Sequence, residues 1–487
     1  MSARRVLVIL VAIVAAGASL RFATLSGQSF WLDEAVAIRS ARLDISGLFD
    51  SLARTEGNPP LYFLLLDGWM RVFGGSEAAV RSLSALFGTA TIPVGYLIGR
   101  RLATPRIGLV AAGLVAFNPL LVWFSQEARP YALLVLLSGL AFLFFVSALE
   151  GAGGRALTGW AVFSGLALAT HYFAALVVLP EAAWLAWRVR PLRRLVPAFA
   201  GFTVLAAALL PLVLDQGNAQ DYSFVKGEAL ATRVVAQVPK QWLVGYDAPL
   251  ETAAVVAAGL LVAAGAALAL LRSEGRERRA AALGLGVGGA ALALALVLAL
   301  AGADYYLSRY VLAAWLPLAL AVAVGFGARR SGRVGLASVA ALCALFVFVV
   351  VSVSARPELQ RDDWRGVART LGPADGARAI VVTPINGSIP LGLYLPGLSK
   401  LTSAGAPVSE IDAVAVAQRK SGETRHAPPL PKVPPPPGFR EIARYSGPTF
   451  TVVRYRADAP VQIVPANLGS FALQPGTPDY ELQQPAR

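Results

Sequence analysis

The chain is poor in the residues from which most soluble catalytic centres are built. Among 487 residues there are one cysteine and two histidines. A lone Cys343 excludes an intrachain disulfide. So few Cys and His side chains also leave little for a zinc site. Charge is scarce too: 15% of residues are Asp, Glu, Lys or Arg, against about 25% in an ordinary soluble domain. No Walker loop, nucleophile elbow or dinucleotide fingerprint stands in a strand–helix context. Acids are the scarcer sign, 29 against 43 bases, for a net charge of +14.

Apolar surface is what the chain has in excess. Hydrophobic residues make up 56%, glycine adds 46 more positions, and the mean hydropathy is +0.60. A soluble core of this length has no use for that much. A disordered chain, a disulfide scaffold and a soluble enzyme are therefore excluded. The apolar residues fall in blocks at 6–25, 80–100, 107–124, 131–149, 156–171, 172–188, 195–214, 250–271, 280–301, 309–327 and 333–354. Spanning the hydrocarbon takes about 20 residues, so the pattern predicts about eleven transmembrane helices in an all-α polytopic membrane protein. The two blocks flanking His171 are short and also suit one re-entrant unit. Arg4 and Arg5 precede an apolar run that reaches Leu25, longer than most signal h-regions, so the first block is read as an uncleaved helix.

The positive charge follows this topology. With the N-terminus inside, the cytoplasmic loops carry seventeen arginines, from Arg4 to Arg333, against Glu150, Glu274 and Glu277. That is the positive-inside pattern of a multi-pass cytoplasmic (inner) membrane protein. It explains much of the +14 without nucleic acid. Residues 1–354 form the transmembrane domain, with outer loops 26–60 and 215–249. Residues 355–456 read as a small α/β domain outside the membrane, and 457–487 as a flexible tail. In that domain Asp362–Leu371 suits a helix and Ala379–Thr383 a strand. Glu441–Tyr445 and Thr449–Arg456 suit a hairpin around Ser446-Gly447-Pro448. Pro428–Pro437 is a proline-rich spacer.

The outer face holds acids, aromatics and arginines at helix ends, where polar groups are costly unless used. Ser29-Phe30-Trp31-Leu32-Asp33-Glu34 opens an amphipathic pattern from Glu34 to Ala53, an interfacial helix. Asp33 has two readings, a helix N-cap or a general base at the membrane surface. Neighbouring helix positions point about 100° apart, so Asp33 and Glu34 do not share one role. Asn58-Pro59-Pro60 heads a segment to Phe73 that is too short to cross, with Asn58 either capping it or facing a site. Ser125-Gln126-Glu127-Ala128-Arg129-Pro130-Tyr131 is a short turn in which Arg129 opposes the charge bias. Interface anchoring and phosphate binding both suit it. His171-Tyr172-Phe173 occupies the next outward turn. Arg309, in Asp304-Tyr305-Tyr306-Leu307-Ser308-Arg309-Tyr310, again breaks the bias, by snorkelling or as a second phosphate ligand. The loop after Asp215, with Asp221, Tyr222, Lys226 and Lys240, is long enough to cover a site.

Taken in order, these motifs resemble the multipass GT-C glycosyltransferases. The family 39 group of protein O-mannosyltransferase-like and aminoarabinose-transferase-like enzymes is the nearest in pattern. The first motif, the run Asn58–Leu66 with Ala79–Ser84, and the Arg129 turn carry the likeness. His171-Tyr172, Arg309-Tyr310 and Asp363-Trp364-Arg365 extend it over most of residues 20–370. Asn58 stands where related sequences often have His. The resemblance implies the GT-C fold and a sugar donor carried on a polyprenyl phosphate. It also implies inverting transfer to a protein, glycan or lipid acceptor on the extracytoplasmic side, within the cell envelope. It makes Asp33 the base, with Glu34 supporting the first loop, and Arg129 and Arg309 the ligands of the donor phosphate. Asn58, Gln126, Glu127, Tyr131, His171 and Tyr310 would line the pocket. No cofactor is required; a divalent metal suits the carboxylates and Gln126 but has no diagnostic spacing. Membrane lipids are partners and nucleic acid is not. A polytopic transporter or a non-catalytic lipid-binding envelope assembly protein are the alternatives. A transporter would more often show inverted repeats and ionisable residues at mid-membrane.

Overall fold

A computed structural model describes residues 2–487 apart from 152, 220–224, 226, 418–425, 429–434, 474–476 and 486–487. Asp221, Tyr222, Lys226 and most of the proline-rich spacer lie outside the described residues. The chain divides into two compact units: Met1–Leu25 with Ser40–Ser352, and Ser26–Arg39 with Val353–Arg487.

Unit one is helical. It opens with α1 (Ala3–Phe22), followed by α2 (Leu32–Ala41), whose N-terminal turns belong to the other unit, and α3 (Ile45–Thr55). The single amphipathic helix expected over Glu34–Ala53 is thus two. Asp44 causes the break: its carboxylate accepts the Gly47 N–H at 2.8 Å and starts a new helix. α4 (Leu61–Phe73) begins at Pro60 without a side-chain cap, so Asn58 does not cap it. α5 (Glu77–Leu102) and α6 (Pro105–Phe117) pack closely: a methyl added at Gly99 would lie 2.8 Å from Gly108 Cα. Small residues let membrane helices approach in this way.

α6 bends by 59° into α7 (Pro119–Ser125). Pro119 has no N–H to give the Val115 carbonyl. The buried guanidinium of Arg21, from α1, takes that place, donating to Val115 O at 2.9 Å and Ala116 O at 2.8 Å. Asn118 stabilises the restart by accepting Leu121 N–H at 3.1 Å, and its amide donates to Trp242 O at 2.8 Å.

Then come α8 (Tyr131–Leu149), α9 (Gly153–Thr170), α10 (Ala175–Arg188) and α11 (Val196–Ala219). α12 (Leu230–Thr232) runs through a π turn into α13 (Val238–Val244). The last long helices of the unit are α14 (Glu251–Arg272), α15 (Gly275–Leu300), α16 (Trp315–Gly327) and α17 (Gly332–Ala355). Every expected apolar block is helical. Among the described residues, seven helices are long and apolar enough to cross a membrane, eight if the α6–α7 pair is one span. The expected count of about eleven exceeds this because α10 and α16, at 14 and 13 residues, are short of a full span and α9, at 18, is less apolar than the seven.

In unit two the sheet order is β2-β6-β1-β3-β5-β4. The strands are β1 (Arg378–Thr383), β2 (Leu398–Lys400), β3 (Ala406–Val416), β4 (Phe439–Ser446), β5 (Phe450–Ile463) and β6 (Asp479–Gln483). β1 and β3 are parallel; the other pairings are antiparallel. Side chains alternate between two buried faces. Val381, Ala413 and Val453 point to one. Val382, Val414 and Val452 point to the other, under α18 (Trp364–Leu371). The polarity of the tail predicts a loose end, but its described residues include ordered strands. β5 runs on to Ile463, and β6 sits between β1 and β2 with Tyr480 and Leu482 against the core. Gln483 of β6 also accepts at 2.8 Å from Arg378, whose buried guanidinium pairs with Asp412 at 3.2 Å. A further departure from the expected division is that residues 26–39 belong to this unit, not to the transmembrane one.

Candidate active site

Within unit one, the Arg129 turn is set by its neighbours. Pro130 ends the turn and begins α8 at Tyr131. Arg129 N–H donates to Glu127 O at 2.8 Å, and Ser84 Oγ reaches Arg129 O at 3.5 Å. The guanidinium forms a two-pronged pair with Glu56, at 2.5 and 3.0 Å. Both side chains are buried, 6% and 4% exposed. A bidentate pair of this kind is strong and directional. Glu56 was not expected from the sequence. Asn58 joins it, donating to the same carboxylate at 3.4 Å. From α11, Gln216 donates to Leu52 O and Asn58 O, both at 3.1 Å, and pins the segment that carries Glu56.

Gln126 is directed elsewhere. Its amide nitrogen donates to Leu20 O at 2.9 Å, Arg21 O at 3.2 Å and Thr24 Oγ1 at 2.8 Å, so it secures the end of α1 rather than lining a pocket. Glu127 is buried beside it in sequence, 1% exposed.

His171 ties the remaining residues together. It precedes the 3-10 turn Tyr172–Ala174, outside the spanning helices, and Nδ1 accepts Phe173 N–H at 3.3 Å. The neutral ring therefore carries its proton on Nε2. That nitrogen is buried and has no hydrogen-bond partner among the described residues. Tyr131 and Tyr310 flank the ring at 5.8 and 5.9 Å, and Phe173 stacks on Tyr310 at 4.6 Å. Arg309 lies over Tyr310, 5.0 Å from its centre. Burial, then the charges of Arg129 and Arg309, push the His171 pKa down to about 3. Five expected site residues thus meet here: Arg129, Tyr131, His171, Arg309 and Tyr310.

This makes a pH prediction. The unfolded histidine takes up its proton near pH 6.5, the folded one near 3. Between these values the unfolded chain holds more protons. Stability from the neutral ring is complete above about 6.5 and falls as pH drops, by about 1.4 kcal/mol per pH unit. His171→Gln should flatten the loss of melting temperature between pH 6 and 4. An equally steep loss in the variant excludes His171 as its source.

The segment before Arg309 is also tied down. Arg233, 1% exposed, pairs with Asp304, and Gln241 accepts from Ser308. Lys240 pairs with Glu251 at 2.8 Å. Unit two carries the remaining candidates. Asp33 is the second residue of α2 and half-buried. Glu34 is fully buried and reaches back to Trp31 N–H at 3.5 Å, as a third-position Glu does in a capping box. Asp33 is therefore inside the helix, not its cap. Among the described residues no three His, Cys, Asp or Glu side chains gather as a metal site.

The description of the family model matching residues 57–214 is dolichyl-phosphate-mannose-protein mannosyltransferase. That segment contains Asn58, the Arg129 turn and His171. The structure is similar to archaeal oligosaccharyltransferase AglB from Archaeoglobus fulgidus, solved with an inhibitory peptide and a dolichol-phosphate. The TM-score is 0.50 at 12% identity, over 84% of this chain and 69% of that one. The chain has the GT-C fold. Two other structures match with lower scores. ArnT from Cupriavidus metallidurans matches with a TM-score of 0.44 and 16% identity, over 98% of this chain and 100% of that one. The S. cerevisiae protein O-mannosyltransferase Pmt1-Pmt2 complex matches with 0.33 and 16%, over 45% of this chain and 33% of that one. No curated protein matches in sequence. The GT-C fold expected from the ordered motifs is thereby borne out, and the family match begins one residue after Glu56.

Proposed function

We propose that the protein is a membrane glycosyltransferase that moves a sugar from a polyprenyl phosphate to an acceptor on the extracytoplasmic side. One observation carries the reading. Arg129 and Arg309 both act on a buried, neutral histidine whose remaining N–H has no acceptor among the described residues. Arg309, Arg129 on exchanging Glu56, and an N–H donor suit an anion that arrives from outside the protein, and a lipid phosphate at a helix end is such an anion. The matched family description and the lipid-bound AglB support that donor class.

The reaction needs little else. The acceptor hydroxyl attacks the anomeric carbon as Asp33 takes its proton. The bond to the phosphate oxygen breaks on the opposite face, and the anomeric centre inverts. The leaving polyprenyl phosphate keeps the electron pair, and its charge is met by Arg129 and Arg309, with the His171 Nε2 proton as a further donor. Glu34 holds the start of α2. Purified protein incubated with labelled polyprenyl-phosphate sugars and membrane extract should release polyprenyl phosphate and label one acceptor fraction. Full recovery of every donor unchanged would overturn the reading.

A further inference from the structure

The run Gln360–Arg365 and Tyr394 have no part in the reaction described, yet they hold the segment that leads into Asp33. Successive residues of that segment are bound. Arg365 donates to Ser26 O at 3.0 Å and Gly27 O at 3.1 Å. Gln28 Oε1 accepts Arg361 N–H at 2.9 Å. Ser29 Oγ donates to Asp362 O at 2.5 Å and accepts Trp364 N–H at 3.0 Å. Phe30 N–H donates to the Tyr394 hydroxyl at 2.6 Å, with the two rings 6.2 Å apart. Gln28, Ser29 and Phe30 are all buried. The next ordered element is α2, which starts at Leu32 and places Asp33 in its first turn.

The partner segment is anchored at the start of α18. Asp363 caps α18 by accepting Gly366 N–H at 2.9 Å, and Trp364 is 1% exposed under the sheet. Asp362-Asp363-Trp364-Arg365 therefore works as a set: a carbonyl, a cap, a core anchor with a free N–H to give, and a guanidinium. Ordinary surface loops move over distances that matter for catalysis. A displacement of 1 Å at a reacting group costs about 10²-fold in rate.

We infer that Asp362–Arg365 and Tyr394 form a positioning clamp that fixes the backbone from Ser26 to Phe30 and so sets where the Asp33 carboxylate stands. This gives the C-terminal unit a role in the transfer step. The inference rests on the reading of Asp33 as the base.

Ser29→Ala removes two of the bonds and Tyr394→Phe a third, and both leave the Asp33 carboxylate in the chain. Each should lower kcat ~10-fold and the pair ~100-fold, with KM for the donor lipid within about twofold of the parent. Hydrogen exchange over residues 30–36 should rise by about tenfold in the double variant, while α18 keeps its protection. A misfolded unit would expose α18 as well. Parental kcat in the double variant, with Asp33→Asn inactive, overturns the clamp and leaves the base reading standing. Parental transfer by Asp33→Asn overturns the base instead, and the exchange rates still report on the clamp. A loss carried by KM rather than kcat also overturns it.

Discussion

Asp33→Asn is expected to lower kcat by about 10²–10⁴-fold, the usual contribution of a general base, while binding the donor lipid as the parent does. The substitution changes charge and not shape. Asp33 is half-buried in the first turn of α2, and its neighbour Glu34 holds the turn through Trp31 N–H. An amide there keeps the helix and cannot take a proton from the acceptor hydroxyl. The leaving phosphate needs no acid, so nothing else in the proposed step substitutes for that proton transfer. Glu34→Gln should behave differently. It weakens the helix start without removing the base, so a smaller loss in kcat accompanied by a lower melting temperature is expected. Parental turnover by purified Asp33→Asn assigns the proton to another group.

The helices and the polar turns were legible because each rests on a local rule. Hydropathy finds apolar blocks, and the arginine bias separates their ends. Arg129 and Arg309 stood out only because they break that bias. What was not legible needed contacts far apart in the chain. Glu56 has no motif of its own. Its signal was indirect: a buried Arg129 requires a counter-charge, and the first outer loop has few carboxylates to offer. Gln126 was grouped with Arg129 by proximity in sequence, yet in a tight turn three residues suffice to face another helix. Asp44 could have been read as a cap, but the apolar periodicity continues through it and hides the break. β6 is short and polar, and only its slot between β1 and β2 makes it a strand. The membership of residues 26–39 in the C-terminal unit had one trace, Asp363-Trp364-Arg365 recurring with the first-loop motif in the family resemblance.

Arg129→Ala is expected to destabilise the transmembrane unit by about 3–5 kcal/mol, because it takes the bidentate cation away from a buried carboxylate. Glu56 is 4% exposed, and Arg129 is its bidentate cationic partner, with Asn58 donating to the same carboxylate at 3.4 Å. This cost alone does not tell a structural arginine from a phosphate ligand, and a cycle with Glu56 does. Replacing both members, as Arg129→Met with Glu56→Leu, removes the stranded charge and should return most of the melting temperature. If Arg129 serves only to neutralise Glu56, affinity for a polyprenyl phosphate returns with it. If Arg129 holds the phosphate, affinity stays at least ~10-fold weaker in both the single and the double variant, as loss of one charge-assisted bond requires. Glu56→Gln separates the two further. It removes the carboxylate that competes for the same guanidinium fork, so donor affinity should rise even as stability falls. A fall in both would make Glu56 part of the lipid site rather than the counter-charge that the phosphate displaces.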